Sequence, residues 1–130
     1  MNSEQIIASL NDLVATGDAP GKVLTDPADL DAYGKDWTRM YPPRPLAIVL
    51  PKTTEQVQAV VRFANEHGVA LVPSGGRTGL SAGAVAANGE VVVAFDLMNR
   101  ILDFNPSDRT VRCQAGVITE QLQNFAEENG

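Results

Sequence analysis

The chain has 130 residues, of which 44% are apolar and 20% are charged, and its net charge at pH 7 is −6. These values are typical of one folded domain with a core, and the acidic balance argues against binding to nucleic acid or to an anionic membrane. No apolar run reaches the roughly 18 residues of a transmembrane segment, and the N-terminus lacks the pattern of a signal peptide. The single cysteine, Cys113, excludes an internal disulfide, so we expect a cytoplasmic protein.

The first predicted element is an amphipathic helix over residues 4–15, capped by Ser3. Its apolar residues fall at helical spacing: Ile6, Ile7, Leu10, Leu13 and Val14. Residues 16–45 are irregular, so we predict that residues 1–45 form an N-terminal helix and a loop that wraps a surface. This loop contains KDWT (35–38), and its aromatic side chains are interpreted as anchors or, alternatively, as a binding surface: Tyr33, Trp37 and Tyr41.

Residues 46–51, LAIVLP, form a short apolar run that is typical of a buried parallel strand. A helix follows, with Thr53 and Gln56 at capping-box spacing and Gly68 at its C-terminus. Its predicted apolar face is Val57, Val60, Val61 and Ala64. The next apolar run, VALVPSGG, completes a βαβ unit, and EVVVAFDLM predicts a third strand.

The remaining residues predict a β-hairpin and a helix. Turn-forming residues 105–108 separate ILDF from TVRCQA, and Thr119 is expected to cap the last helix. The sequence stops at Gly130, where a helix C-cap would lie, so we expect a truncated domain. The predicted fold class is α/β (α+β), with a short parallel βαβ sheet and a hairpin.

The stretch VPSGGRTGLSAG (72–83) contains four glycines and three hydroxyl side chains. It lacks the lysine of a Walker loop, the glycine spacing of a Rossmann loop, and a helix behind it. An anion would therefore be held by backbone N–H groups, assisted by the hydroxyls of Ser74, Thr78 and Ser81. The alternative is a long turn with no ligand.

The segment 46–83 resembles the start of the FAD-binding domain of the vanillyl-alcohol oxidase/p-cresol methylhydroxylase superfamily. The likeness includes KDWT, the loop pattern P-x-G-G-x-T-G-x-x-x-G, MNRIL (98–102) and CQAGV (113–117). Within the superfamily, the chain is most similar to the D-lactate, glycolate and D-2-hydroxyglutarate dehydrogenases. The resemblance implies a layered FAD-binding subdomain of p-cresol methylhydroxylase type and an intact enzyme that oxidises a D-2-hydroxy acid to the 2-oxo acid.

The resemblance also implies which residues contact FAD. The loop would wrap the pyrophosphate, and the segments around Met98 and Gly116 would lie along the cofactor. Pro51 and Pro73 would lie near its adenine end. The predicted cofactor-binding residues are Pro73, Ser74, Gly75, Gly76, Arg77, Thr78, Gly79, Leu80, Ser81, Gly83, Met98, Ala115, Gly116 and Val117.

Arg77 stands where some members of the superfamily bond the flavin covalently to a histidine. Because a guanidinium has no nucleophilic nitrogen at neutral pH, we expect FAD to be non-covalent at this loop. The arginine would then neutralise the pyrophosphate or point to solvent.

Residues 46–130 correspond in this resemblance to the first part of the FAD-binding domain, without the second FAD subdomain or the substrate-binding cap domain. No catalytic and no metal-binding residue is identified. We therefore expect the 130-residue chain alone to be inactive, to bind FAD weakly, and to self-associate through its bare face. The hydroxy-acid substrate would bind through the missing C-terminal domain.

Three alternatives remain for the function. One is another enzyme of the superfamily, such as an alkyl-glycerone-phosphate synthase or a sugar or aryl-alcohol oxidase. The second is a stand-alone phosphate- or nucleotide-binding module. The third is a structural domain that binds no ligand.

Overall fold

The computed structural model describes the whole chain, Met1–Gly130, as four helices and six strands. The helices are α1 (Ser3–Val14), α2 (Pro27–Tyr33), α3 (Thr54–His67) and α4 (Thr119–Glu128). The strands are β1 (Lys22–Leu24), β2 (Ala47–Leu50), β3 (Leu71–Ser74), β4 (Val91–Ala94), β5 (Ile101–Asn105) and β6 (Thr110–Cys113). None of the helices combines the length and apolar character needed to cross a membrane.

Four strands form the main sheet in the order β1-β2-β4-β3. β2 and β3 both run parallel to β4, whereas β1 is antiparallel to β2. The predicted βαβ unit is therefore present, but β4 lies between its two strands. Burial explains this order: all four residues of β4 are buried, and Pro73, which has no N–H to donate, lies in the edge strand β3.

Both faces of this sheet are covered, which confirms the layered α/β fold. α1 and α3 pack against one face, where the buried residues are Leu10, Val14, Val49, Val60, Phe63, Val91 and Val93. The opposite face packs against α2 and the chain before β4, around Ile48, Leu50, Ala86, Val92 and Ala94. Alternate residues of the parallel strands thus point to two separate cores.

The N-terminal segment differs from the prediction in two ways. The cap of α1 is Asn2, not Ser3, because Asn2 and Gln5 form a reciprocal capping box. The segment 16–45 also contains β1 and α2, where only an irregular loop was predicted. β1 has only three residues, and α2, which starts at Pro27, has no buried residue. Neither element therefore shows the regular spacing of apolar residues from which a strand or a helix is predicted.

Helix α3 begins after Thr53, whose hydroxyl accepts the Gln56 N–H, and it ends at Gly68 in the left-handed region, as predicted. The Gln56 side chain does not complete a capping box. It is buried, accepts the Lys52 N–H and donates to the carbonyls of Thr16 and Ala19. It therefore ties the start of α3 to the chain that follows α1.

The apolar face of α3 is displaced from the predicted one. Val60 and Ala64 are buried as expected, together with Phe63, whereas Val61 is exposed. Phe63 follows Val60 by one turn and reaches the core, so the stripe lies toward the side that α1 covers.

β5 and β6 form the predicted antiparallel hairpin, with Asn105 accepting the N–H groups of Ser107 and Asp108 in its turn. The prediction for α4 was wrong at its cap: Ile118 is the N-cap and no side chain caps the helix, because Thr119 already lies in the first turn. No residue from 99 to 130 is buried. The hairpin and α4 therefore lie outside the two cores of the main sheet.

Candidate functional site

The glycine loop, residues 75–83, starts at the carboxyl end of β3, directly after Ser74. This position confirms the expectation that the loop follows a parallel strand and that no helix opens behind it. The neighbouring β4 ends at Ala94, which pairs with Ser74, so the residues after both strands meet at one edge of the sheet.

The backbone N–H groups in the first seven residues of this loop have no acceptors within the chain. None of the seven from Gly75 to Ser81 donates a hydrogen bond to another residue. A run of free N–H groups at the end of a strand is the arrangement that binds anions in backbone nests.

The loop glycines are not required by the packing of this chain. A Cβ added at Gly75, Gly79 or Gly83 would meet nothing within 4 Å. At Gly76 it would meet only the Ile118 side chain, at an ordinary 3.7 Å. The positive φ angles of the loop belong instead to two residues with side chains, Arg77 at 58° and Ala82 at 63°. The absence of side chains therefore leaves open space beside the free N–H groups.

Two adjoining cavities of about 260 Å³ each open beside the loop. Gly76 and Ile118 line both of them. The first also contacts Gly75, Arg77, Asp96, Asn99, Gly116 and Gln121, and the second contacts Thr78, Val117 and Thr119. The structure thus brings the loop together with the Gly116–Val117 segment, two parts of the predicted cofactor site that are about forty residues apart in sequence.

Gly116 differs from the loop glycines because its own chain leaves it no room. Its N–H donates to the carbonyl of the buried Met98 at 2.8 Å. A Cβ at this position would overlap the carbonyl oxygen of Phe95 and lie 2.7 Å from that of Met98. The glycine at 116 therefore fixes one wall of the cavities against the end of β4.

Arg77 does not point to solvent. Its guanidinium forms a bidentate ion pair with Asp96, with nitrogen–oxygen distances of 3.2 and 2.9 Å, and also donates to the Ser74 hydroxyl at 3.1 Å. The ring of Tyr33 stacks against it, 4.6 Å from the guanidinium carbon. The charge of Arg77 is thus neutralised inside the chain, and the hydroxyl of Ser74, a fully buried residue, serves this contact.

Asp36 is a site residue that the sequence reasoning missed. Its side chain, within the KDWT motif, accepts the N–H and the hydroxyl of Thr38 at 3.0 and 2.6 Å. Its other oxygen accepts the N–H of Ala82 in the glycine loop at 3.0 Å. The available signal was an aspartate two residues before a threonine, which is typical of a local turn. Nothing in that signal indicates a partner 46 residues away.

Hydrogen bonds lower the pKa of Asp36 below its ordinary value of 3.8, the Thr38 hydroxyl having the largest effect and burial acting in the opposite direction. A lowered pKa in the folded state means that the ionised group stabilises the fold above pH 3.8 and loses this effect as the pH falls through the folded-state pKa. We therefore expect the stability difference between the wild type and Asp36→Asn to be constant near neutral pH and to shrink below about pH 4. Urea-unfolding midpoints measured for both proteins across this range check the prediction. A difference that grows on acidification would contradict it.

Several predicted residues lie at the surface of the site. Thr78, Leu80, Ser81 and Gly83 are exposed on the loop, and Pro73 and Ala115 are exposed beside it. Pro51, in contrast, is fully buried. Of the three aromatic residues, Tyr33 is an anchor through Arg77, whereas the side chains of Trp37 and Tyr41 are exposed.

A sheet covered on both faces, with a nest-like glycine loop at the carboxyl ends of its parallel strands, defines a nucleotide-cofactor domain of the layered α/β class. The chain belongs to the FAD binding domain family, which residues 45–130 match. A solved structure of p-cresol methylhydroxylase with substrate bound has the same fold, with a TM-score of 0.73 and 26% identity over 97% of this chain and 24% of that one. The prediction of a p-cresol methylhydroxylase-type fold and of FAD as the cofactor is confirmed.

Two curated relatives are similar over most of the chain. D-2-hydroxyglutarate dehydrogenase of Stutzerimonas stutzeri (strain A1501) is 65% identical over all 130 residues, which are 27% of its length. D-2-hydroxyglutarate dehydrogenase of Xanthomonas citri pv. viticola is 59% identical over 109 residues, covering 84% of this chain and 23% of that protein. The chain thus spans about a quarter of the length of the curated relatives it matches.

Proposed function

We propose that this chain is part of an FAD-dependent dehydrogenase that oxidises a D-2-hydroxy acid, with D-2-hydroxyglutarate the first candidate, to the 2-oxo acid. The observation that carries the proposal is the 65% identity, over the full chain, to a protein named for that activity. In this proposal residues 46–130 are the first part of the FAD-binding domain, and residues 1–45 are a helix and a segment that wraps it.

The residues of the glycine loop fit the pyrophosphate of FAD. Seven free N–H groups present partial positive charge at one edge of the sheet, and the four loop glycines let an anion approach the backbone closely. Because Arg77 is paired with Asp96, the backbone rather than a side-chain cation would balance the phosphate charges. The hydroxyls of Thr78 and Ser81 are exposed and available to donate further hydrogen bonds.

The second wall of the site suits the uncharged part of the cofactor. Gly116, Val117 and Ile118 face the loop across the two cavities and offer backbone and apolar side-chain contacts. When bound, FAD supplies the redox chemistry by accepting a hydride from the hydroxyl-bearing carbon of the substrate. The residues of this chain hold and orient the cofactor, and we assign none of them a proton-transfer role.

We propose that FAD is held non-covalently at this loop. The side chain at position 77 is a guanidinium, which has no nucleophilic nitrogen at neutral pH. Its two terminal nitrogens are also engaged with the carboxylate of Asp96.

The alternatives have less support. Sugar or aryl-alcohol oxidases and alkyl-glycerone-phosphate synthases share the fold, but a xylooligosaccharide oxidase and an alkyldihydroxyacetonephosphate synthase are 25% and 19% identical to this chain, against 65% for the dehydrogenase relative. If the domain bound no ligand, nothing in the chain would explain the seven free N–H groups or the four loop glycines, which have open space beside them. A stand-alone phosphate- or nucleotide-binding module would bind without a preference for flavin.

We propose that the protein is cytoplasmic. The lone Cys113 forms no disulfide, which supports a reducing compartment such as the cytoplasm.

We also propose that the substrate contacts residues outside this chain. The 130 residues alone would be inactive and prone to self-association, because the hairpin and α4 contribute no buried residue.

A test uses the complete protein that contains this chain, purified with its flavin. We expect acid precipitation to release the flavin into the supernatant. In a separate activity assay, we expect the protein to reduce a dye when it is given D-2-hydroxyglutarate or a related D-2-hydroxy acid such as D-lactate, D-malate or glycolate. Sugars and aryl alcohols serve as controls in the same assay. Turnover of the controls alone would refute the substrate class, and flavin retained on a peptide containing Arg77 would refute non-covalent binding at the loop.

A further inference from the structure

We propose that Asp36 is a positioning residue that holds the second half of the glycine loop in the shape required to bind FAD. The inference deepens the proposed function and rests on it. Asp36 would not touch the cofactor, because the oxygens of its carboxylate are directed to Thr38 and Ala82.

Asp36 is buried without a counter-ion, which needs a reason. The residue is 4% exposed, and the ion pairs of the chain are Lys35–Asp31, Arg77–Asp96 and Arg112–Asp103. A buried carboxylate is costly unless several donors satisfy it. Here two of the donors come from Thr38 in its own turn, and the third comes from Ala82 in the glycine loop.

The link to the loop is reinforced by the next residue. The N–H of Trp37 donates to the carbonyl of Gly79 at 3.2 Å, while Asp36 accepts the N–H of Ala82 at 3.0 Å. These two bonds bracket Leu80 and Ser81. Between Thr78 and Gly83 they are the only hydrogen bonds that run to another part of the chain.

The geometry at Ala82 indicates that this bond holds the backbone in place. Ala82 has a φ of 63°, a left-handed conformation that is unfavourable for a residue with a Cβ. Such conformations persist where surrounding contacts hold them. The Ala82 carbonyl accepts a local bond from the Val85 N–H, and the charge-assisted bond from the Ala82 N–H to Asp36 is the contact that ties this residue to a distant part of the chain.

The first half of the loop has a separate anchor. Arg77, also at positive φ, is held by Asp96 and by the hydroxyl of Ser74. The seven free N–H groups belong to residues 75–81, which include the Arg77 anchor and end directly before the Ala82 anchor. Removing Asp36 should therefore release the residues after Thr78 and leave those before it in place.

The test compares Asp36→Asn with the wild type in the complete protein. An asparagine replaces one acceptor oxygen by an NH₂ group, so it would face either Thr38 or Ala82 with a donor. We expect the Kd for FAD to rise about tenfold, the effect of losing one charge-assisted hydrogen bond. The rate of substrate turnover per bound flavin should stay within about twofold, because the reacting atoms are not touched.

Asp31→Asn is the matched control. Asp31 lies five residues earlier, is exposed, and pairs with Lys35 at the surface, so this variant should bind FAD as the wild type does. Thr38→Val is the second variant: it removes the hydroxyl donor to Asp36 and retains the bond to Ala82. We expect a Kd between those of the wild type and Asp36→Asn, which provides a measurement should Asp36→Asn not fold.

Hydrogen exchange on the apoprotein separates this proposal from the proposed function. In Asp36→Asn, the amides of Ala82 in the loop and of Trp37, which donate the two anchoring bonds, should exchange faster, and peptides from α3 should be unchanged. Faster loop exchange in a protein that binds no FAD would support the anchor and refute the proposed function. Loop exchange and FAD affinity both equal to the wild type would overturn the positioning role of Asp36.

Discussion

Gly76→Ala is expected to lower the affinity for FAD at least about tenfold while leaving the fold intact. Gly76 lines both cavities beside the loop, and the added methyl group would occupy the space between its backbone and Ile118. Within the chain this methyl would make one ordinary contact, 3.7 Å from the Ile118 side chain, and the φ of Gly76 is not in the left-handed region. The free energy of unfolding of the apoprotein should therefore change by less than about 0.5 kcal/mol.

The loss of affinity follows from the requirement for close approach. An anion held by backbone N–H groups must come within about 3 Å of them, and a side chain on the ligand side prevents this. Steric overlap of this kind costs roughly 1–3 kcal/mol, and about 1.4 kcal/mol corresponds to a factor of ten in Kd. Titration of the complete apoprotein with FAD, followed by flavin fluorescence or calorimetry, measures the change. Wild-type affinity in a folded Gly76→Ala protein would show that the cofactor does not use this part of the loop.

Gly116→Ala, on the opposite wall of the first of these cavities, is expected to destabilise the fold by about 3 kcal/mol or more. The new Cβ would overlap the Phe95 carbonyl oxygen and press on that of Met98, and both are backbone atoms that cannot rotate away. The segment would have to move and would lose the hydrogen bond from the Gly116 N–H to Met98.

The thermal unfolding midpoint of the apoprotein measures this effect without reference to any ligand. Gly76→Ala is the matched control, since it makes the same chemical change on the other side of the cavity that both glycines line. The two variants should differ in the property that they change. Gly76→Ala should weaken FAD binding and leave the unfolding midpoint unchanged, whereas Gly116→Ala should lower the unfolding midpoint. An unchanged unfolding midpoint for Gly116→Ala would mean that the segment after β6 is free to move away from β4.

The sequence does not distinguish the structural role of Gly116 from the ligand-binding role expected of Gly76. In the sequence, Gly76 and Gly116 both belong to segments that resemble parts of an FAD site. In the structure, the glycine at 116 is explained by contacts within the chain, whereas the glycines of the loop are not. The loop glycines therefore give the stronger argument for an external ligand.

The sequence by itself determined the elements whose signals lie within a few residues. Thr53 and Gly68 set the ends of α3, Asn105 set the hairpin turn, and unbroken apolar runs identified β2, β3 and β4. The place of the glycine loop, directly after a buried strand, also followed from the local pattern. Caps, turns and apolar runs act through neighbouring residues, so they can be read without knowing the rest of the fold.

Only the tertiary structure decided how these elements combine. It placed β4 between β2 and β3, because a fully buried strand belongs in the middle of a sheet and a strand with a proline belongs at the edge. It also formed β1 and α2, which are too short or too exposed to show an apolar period. The pairs Asp36–Ala82 and Arg77–Asp96 join residues that are 46 and 19 positions apart. Such contacts depend on which surfaces are buried together when the chain folds, and no local spacing in the sequence records that choice.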